Sequence, residues 1–205
     1  MPYQKNVFIN CPFDTDYRIL LRPLLFTIIY LDLEPKISQT KSSANIRINQ
    51  IKQHIRESKY GIHDLSRSKP LQKNDLPRFN MPYELGLDVG CAEFGEKKYR
   101  SKKILILETE RFYYQKILSD IAGQDIENHN DDPKILVRKV RNWFSSIDVQ
   151  NDIPSPNEIW IAYNQFYDEL ISKLVMNGYT LEDIEEMPFG DFVKFVKEWV
   201  IMFKL

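Results

Sequence analysis

Glycine is scarce in this chain, with seven in 205 residues. No Gly-rich loop of the P-loop or dinucleotide-binding kind occurs, which removes the basis for kinase, P-loop NTPase and standard Rossmann dehydrogenase readings. Cysteine is scarcer still, at Cys11 and Cys91 only. That excludes a disulfide framework and a cysteine-based zinc site, and it leaves buried, inert thiols as the expectation for both. An excess of one charge is missing too. The formal net charge is -1, so nothing draws the whole chain toward nucleic acid or a membrane surface. Long hydrophobic runs are absent. The stretch Leu20–Leu33 carries Arg22, Pro23 and Asp32 and is too short and too interrupted to span a bilayer. The opening residues pass almost directly into a strand-like NVFINC without a signal-peptide layout. A cytoplasmic protein is expected, with no membrane partner and no direct nucleic-acid binding.

What is present is a 43% hydrophobic, 13% aromatic sequence in which strand and helix patterns alternate. Strands are predicted at Asn6–Phe13, Pro35–Thr40, Tyr60–Leu65, Lys102–Glu108 and, shorter, Asp125–Asn130. Helices are predicted at Tyr17–Leu33, Ser42–Lys59, Pro82–Phe94, Phe112–Ile121 and Pro133–Ile147. Pro23 is a costly residue inside the first of these. Such alternation predicts an α/β fold: a flavodoxin-like open parallel sheet of about five strands, with helices on both faces. The stretch VQNDIPSPN at 149–157 reads as a linker. Beyond it, helices are predicted at Asn157–Met176 and Thr180–Leu205, with Thr180 and Asp183 as a capping pair. The division is therefore an α/β domain at 1–148 and a C-terminal helical extension at 149–205.

Ligands of open parallel sheets bind at the carboxyl ends of the strands. Cys11, Pro12, Phe13 and Asp14 follow the first strand there, with Asp14 equally suited to capping the next helix. Arg18 and Arg22 on that helix are placed to meet a phosphate. Asp64 ends the third strand; its neighbour His63 points to the opposite face. Glu84 sits in the first turn of a helix, where the macrodipole alone would favour an acid. Asp88, one turn on, shares its face or is a plain surface acid. Of the other histidines, His54 reads as surface. His129 lies in ENHNDD, where Glu127, Asp131 and Asp132 complete a nominal ligand set, but a solvated turn is the simpler reading and no metal is expected. The basic loop holding Arg67, Lys69, Lys73 and Arg78 either closes over an anionic substrate or is simply solvated. The aromatic face of the last helix reads as core or as an oligomer contact.

The order of a CPF turn (Cys11-Pro12-Phe13), then ESKYGIHDLS, then NMPYELGLDVG resembles the nucleoside 2-deoxyribosyltransferase fold and the related TIR-like domains. The resemblance covers about residues 6–147. Cys11-Pro12-Phe13 stands where those transferases carry GPF, Asp64 where they carry a strand-end aspartate, and Tyr83-Glu84-Leu85-Gly86 where they carry FEIG. It implies that Glu84 attacks or stabilises the anomeric carbon of a (deoxy)ribose, with Asp64 orienting or protonating the base. Phe13, Asn80 and Tyr83 would shape the pocket. It also implies a nucleotide, nucleoside or NAD substrate, no cofactor, a homo-oligomer, and a role in bacterial antiphage defence. A non-catalytic nucleotide-sensing or protein-interaction module is the alternative. Two departures stand out. Cys11 replaces the glycine of GPF, and the acid often found shortly before the glutamate is replaced by Phe79-Asn80-Met81. The long basic loop at Ser66–Phe79 suits a phosphorylated or dinucleotide substrate.

Overall fold

A computed structural model describes residues 2–38, 46–66, 78–116, 118–121, 123–147 and 152–204. The end of the second predicted strand, the start of the second predicted helix, most of the basic loop and part of the 149–157 linker lie outside these residues. Five strands form one all-parallel sheet in the order β2-β1-β3-β4-β5: β1 Asn6–Asn10, β2 Glu34–Ile37, β3 Tyr60–Asp64, β4 Lys103–Glu108 and β5 Glu127–Asn128. The order turns back on itself between β1 and β3. That switch point is where this class of sheet opens a crevice at its carboxyl edge.

Alternation along the strands sorts the side chains between two layers. Val7, Ile9, Tyr60, Ile62, Leu105 and Leu107 pack on α1 (Arg18–Tyr30) and α4 (Pro133–Ser146). On the other face, Phe8 meets Ile51 and Ile55 of α2 (Arg47–Glu57). Beside it, Ile106 and Leu65 meet Met81 and Leu85 of α3 (Asn80–Phe94). Helices α5 (Pro156–Met176), α6 (Leu181–Glu185) and α7 (Phe189–Phe203) lie outside α1 and α4, and they join the same apolar cluster as the sheet. Phe26 shows how closely. Its ring lies 5.5 Å from those of Tyr163 and Phe166 and 5.9 Å from that of Trp199. A buried aromatic of this kind contributes about 2–3 kcal/mol. The burial of α1 from Leu20 to Tyr30 also accounts for Pro23. The proline forfeits one helical hydrogen bond, and a helix packed on all sides absorbs that cost.

Three elements differ from the sequence expectation. Phe112–Ile121 is not an α-helix but two 3-10 turns, Tyr113–Lys116 and Ser119–Ile121. The last helix is broken into α6 and α7 around Met187-Pro188, because proline is poorly accommodated in a helix interior and starts α7 instead. The Thr180–Asp183 capping box is present at the head of α6. Helix α3 begins at Asn80, two residues early, so Glu84 lies in its second turn and its first turn carries no acid. The macrodipole account of Glu84 weakens accordingly. Among the described residues no helix is long and apolar enough to cross a membrane.

The α2/α3 layer is pinned by buried charge. Asp88 of α3 is fully buried, with His63 Nε2 at 3.0 Å from one carboxylate oxygen and Lys102 Nζ at 3.0 Å from the other. The lysine contact is an ion pair off the hydrogen-bond axis. Lys102 also donates to the carbonyls of Ile55 (2.8 Å) and Ser58 at the end of α2. Asn10 Nδ2 lies 2.9 Å from His63 Nδ1 and donates to the Met81 carbonyl at 2.8 Å. Gly61 makes room for this cluster, since a Cβ there would stand 2.2 Å from Asp88 Oδ2 and 3.0 Å from His63 Nε2. Gly61→Ala is therefore expected to force the pair apart and to lower the unfolding free energy by about 3 kcal/mol or more, the range for breaking a buried ion pair. A fall in the urea midpoint at unchanged slope checks this.

Candidate functional site at the β1/β3 switch point

Four buried positions on α3 follow helical spacing: Met81, Glu84, Leu85 and Asp88. Half of this inward stripe is therefore acidic. Asp88 does share the face of Glu84, but it is consumed by His63 and Lys102 and is not a surface acid. Glu84 lies one turn nearer the carboxyl edge and is handled differently. It is 5% exposed. Among the described residues its carboxylate accepts no hydrogen bond, and its charged neighbour is Arg47 of α2, at 3.7 Å. Burial raises its carboxyl above the usual range, while Arg47 opposes the rise. A nearly buried carboxylate without hydrogen-bond donors is costly to keep.

The β1 turn lies beside it. Cys11 and Pro12 are buried, and Phe13 and Asp14 are half-buried. Burial drives the Cys11 thiol well up, and the Asp64, Glu84 and Asp14 carboxylates push it further against the pull of Arg47. Cys11 is thus an inert thiol, and the three acids and the arginine that act on it mark one locality. The Arg47 guanidinium lies 5.4 Å from the centre of the Phe13 ring. Asp14 is a cap and also faces a cation. It accepts from the Tyr17 N–H at 3.0 Å as a cap, and it lies 3.6 Å from Arg78 at the approach to α3. Asn80 and Tyr83 are exposed on α3.

Asp64 reaches this edge but is fully occupied. Its Oδ2 accepts from Tyr17 O–H (2.5 Å) and His129 Nε2 (3.0 Å), and its Oδ1 accepts from the Ser66 N–H (2.9 Å) and the Ser66 hydroxyl. Those four bonds fill the acceptor capacity of a carboxylate, and the residue has no exposure. Burial would raise its carboxyl, but His129, Ser66 and Tyr17 together outweigh this and hold it below the usual range. This geometry fits a residue that positions the loops after β3 and β5, not one that touches a base. His129 is correspondingly not in a solvated turn but fully buried. Among the described residues no three histidine, cysteine or acidic side chains gather as metal ligands.

Arg18 and Arg22 do not face the crevice as phosphate ligands. Arg22 is buried against the C-terminal helices, donating to Tyr167 Oη (2.7 Å) and the carbonyls of Ile184 (2.5 Å) and Glu185 (2.9 Å). Arg18 also donates to the Glu185 carbonyl and lies over Phe189. Phe189 in turn approaches Phe13, with ring centres 6.3 Å apart. The start of α7 thereby backs onto the site.

Sequence reasoning missed Arg47, Glu108, Tyr17 and the role of His129. Glu108 was readable from KKILILE, since an acid ending a parallel strand sits at the ligand edge. The contact of Arg47 depends on how α2 packs on α3, and no local pattern announces it. Glu108 is 2% exposed and accepts from the Tyr114 N–H at 2.9 Å. Its carboxyl is pushed up to about 7, first by burial, with Tyr114 easing the rise and Asp64 and Glu110 adding to it.

Against known protein families, curated proteins and solved structures the chain finds no match. The functional reading therefore rests on the geometry of these residues. A separate cleft of about 750 Å³ runs beside β4, with Glu93, Asp125, Asn142 and Trp143 among its walls. It includes neither Glu84 nor the β1 turn.

The two buried acids act on stability with opposite signs. A folded state that favours neutral Glu108 has the full benefit below about pH 4.5 and loses it as pH rises toward about 7. Asp64, held low, contributes above its usual 3.8 and loses that contribution as pH falls. Glu108→Gln is expected to flatten the decline in unfolding free energy between about pH 4.5 and 7 while leaving the acid limb in place. Urea titrations at stepped pH read both limbs.

Proposed function

We propose that this protein cleaves the N-glycosidic bond of a nucleotide, a nucleoside or NAD, with Glu84 as the residue on the sugar. The observation that carries the reading is the state of Glu84. It is nearly buried at the β1/β3 switch point, accepts no hydrogen bond among the described residues, and faces one cation at 3.7 Å. Structural carboxylates in this fold, Asp64 and Asp88, are saturated or ion-paired on both oxygens. A buried carboxylate held without hydrogen-bond donors suits a positive charge that appears only during reaction, such as the oxocarbenium-like sugar of glycosidic cleavage. In that step the C1′–N bond breaks. A nucleobase leaves with the bonding pair and takes up a proton, whereas the nicotinamide of NAD, already cationic at the ring nitrogen, leaves neutral with that pair. Glu84 stabilises C1′ or bonds to it until water supplies the hydroxyl and gives up a proton. The resemblance in the CPF and YELG segments supports the same assignment.

A second reading, nucleotide sensing without turnover, is favoured by the Arg47 contact, because a cation at Glu84 damps its nucleophilicity. Incubation with a panel of nucleosides, nucleotides and NAD separates the two by chromatography. New free base supports cleavage, whereas saturable binding without product supports sensing. Glu84→Gln is expected to lower base release by roughly 10²–10⁴-fold and to melt no earlier than wild type, because it removes a desolvated charge. Release at the wild-type rate would remove Glu84 from the chemistry.

A further inference from the structure

We propose that the site takes a substrate bearing a phosphate group, held by Arg47 and Arg78 at the Phe13–Asp14 turn. This deepens the glycosidic reading and rests on it for the identity of the sugar. Each guanidinium sits on one residue of the turn: Arg47 over the Phe13 ring at 5.4 Å, and Arg78 at 3.6 Å from Asp14. Their side chains are 43% and 49% exposed. The cation–π contact of Arg47 uses none of its N–H donors, which leaves them for bidentate contact with phosphate. Those donors are unspent. At 3.7 and 3.6 Å the carboxylate contacts are longer than hydrogen bonds, and among the described residues neither arginine side chain makes another polar contact. Arg22 is instead committed to Tyr167 and to two backbone carbonyls, and Arg18 is held by the Glu185 carbonyl and the Phe189 ring.

The pairing of Arg47 with Glu84 gives the phosphate a second consequence. One side chain acts on the sugar carbon, and the other receives the substituent at the far end of the same sugar. A phosphate that engages Arg47 competes for the charge that now faces Glu84. The carboxylate is then left to the developing cation at C1′. Substrate without a phosphate leaves Arg47 on Glu84, so it should bind and react poorly.

The test compares ribose 5-phosphate with ribose, which removes the unknown base from the question. Binding is followed by NMR line broadening or calorimetry on the full chain. Wild type is expected to bind ribose 5-phosphate at least tenfold more tightly than ribose. Arg47→Gln and Arg78→Gln are each expected to lose at least tenfold for the phosphorylated sugar only, and affinity should weaken with salt. Arg56→Gln, an exposed arginine on the same helix, should bind as wild type. Equal affinity for the two sugars, no binding of either, or unchanged binding in both site variants overturns the proposal. Base release from unphosphorylated nucleosides at the rate seen with nucleotides overturns it too, while leaving the glycosidic reading intact. Phosphate-dependent binding without base release from any nucleotide supports the phosphate site and removes the glycosidic reading instead.

Discussion

A single buried carboxylate, Asp88, holds the layer on which the site is built. Without exposure, it is viable only because Lys102 and His63 both meet it. Lys102 extends the grip to the last carbonyls of α2, and Asn10 extends it from His63 to the first turn of α3. Two helices and two strands are thus fixed relative to one another by one charge. The spacing of Arg47 on α2 from Glu84 on α3 is a consequence. Gly61 belongs to the same constraint, since any side chain there would occupy the position of the carboxylate.

Acids in this molecule divide by what surrounds them. Asp64 is buried and fully hydrogen-bonded, Asp88 is buried and ion-paired, and both hold elements together. Glu84 is nearly as buried, yet it has no hydrogen-bond donor among the described residues. The fold thereby carries a desolvation cost at one point of its carboxyl edge while relieving it elsewhere. Glu108 is intermediate, with one backbone donor and a carboxyl that changes charge near neutrality. The contrast matters for chemistry. A carboxylate with four donors has no capacity left for a ligand, whereas one facing a half-exposed arginine without a hydrogen bond can exchange that partner.

Much of the architecture was legible in the chain. Strand-like runs such as KKILILE and helical runs such as the Ile51/Ile55 stripe are dictated by side-chain period, and their alternation leaves few topologies open. Errors came where local pattern competes with packing. Phe112–Ile121 has helical composition but folds as two 3-10 turns that place the Tyr114 N–H on Glu108. The ENHNDD segment looks like a solvated turn, yet His129 is drawn inward because Asp64 needs a donor. Arg18 and Arg22 looked available because the C-terminal helices that claim them lie more than a hundred residues away in sequence.

By itself the sequence determined the parallel α/β class, the positions of most elements, and the placement of Cys11–Asp14, Asp64 and Glu84 near one sheet edge. These follow from periodicity and from the rule that parallel strands present their carboxyl ends together. Only the tertiary structure decided what each acid does there. The state of a carboxylate is set by burial and by the donors and cations that reach it, here Tyr17, Ser66, His129, Lys102 and Arg47. Apart from Ser66, two residues beyond Asp64, they reach the acids from other elements and loops, at separations in sequence that no local pattern records.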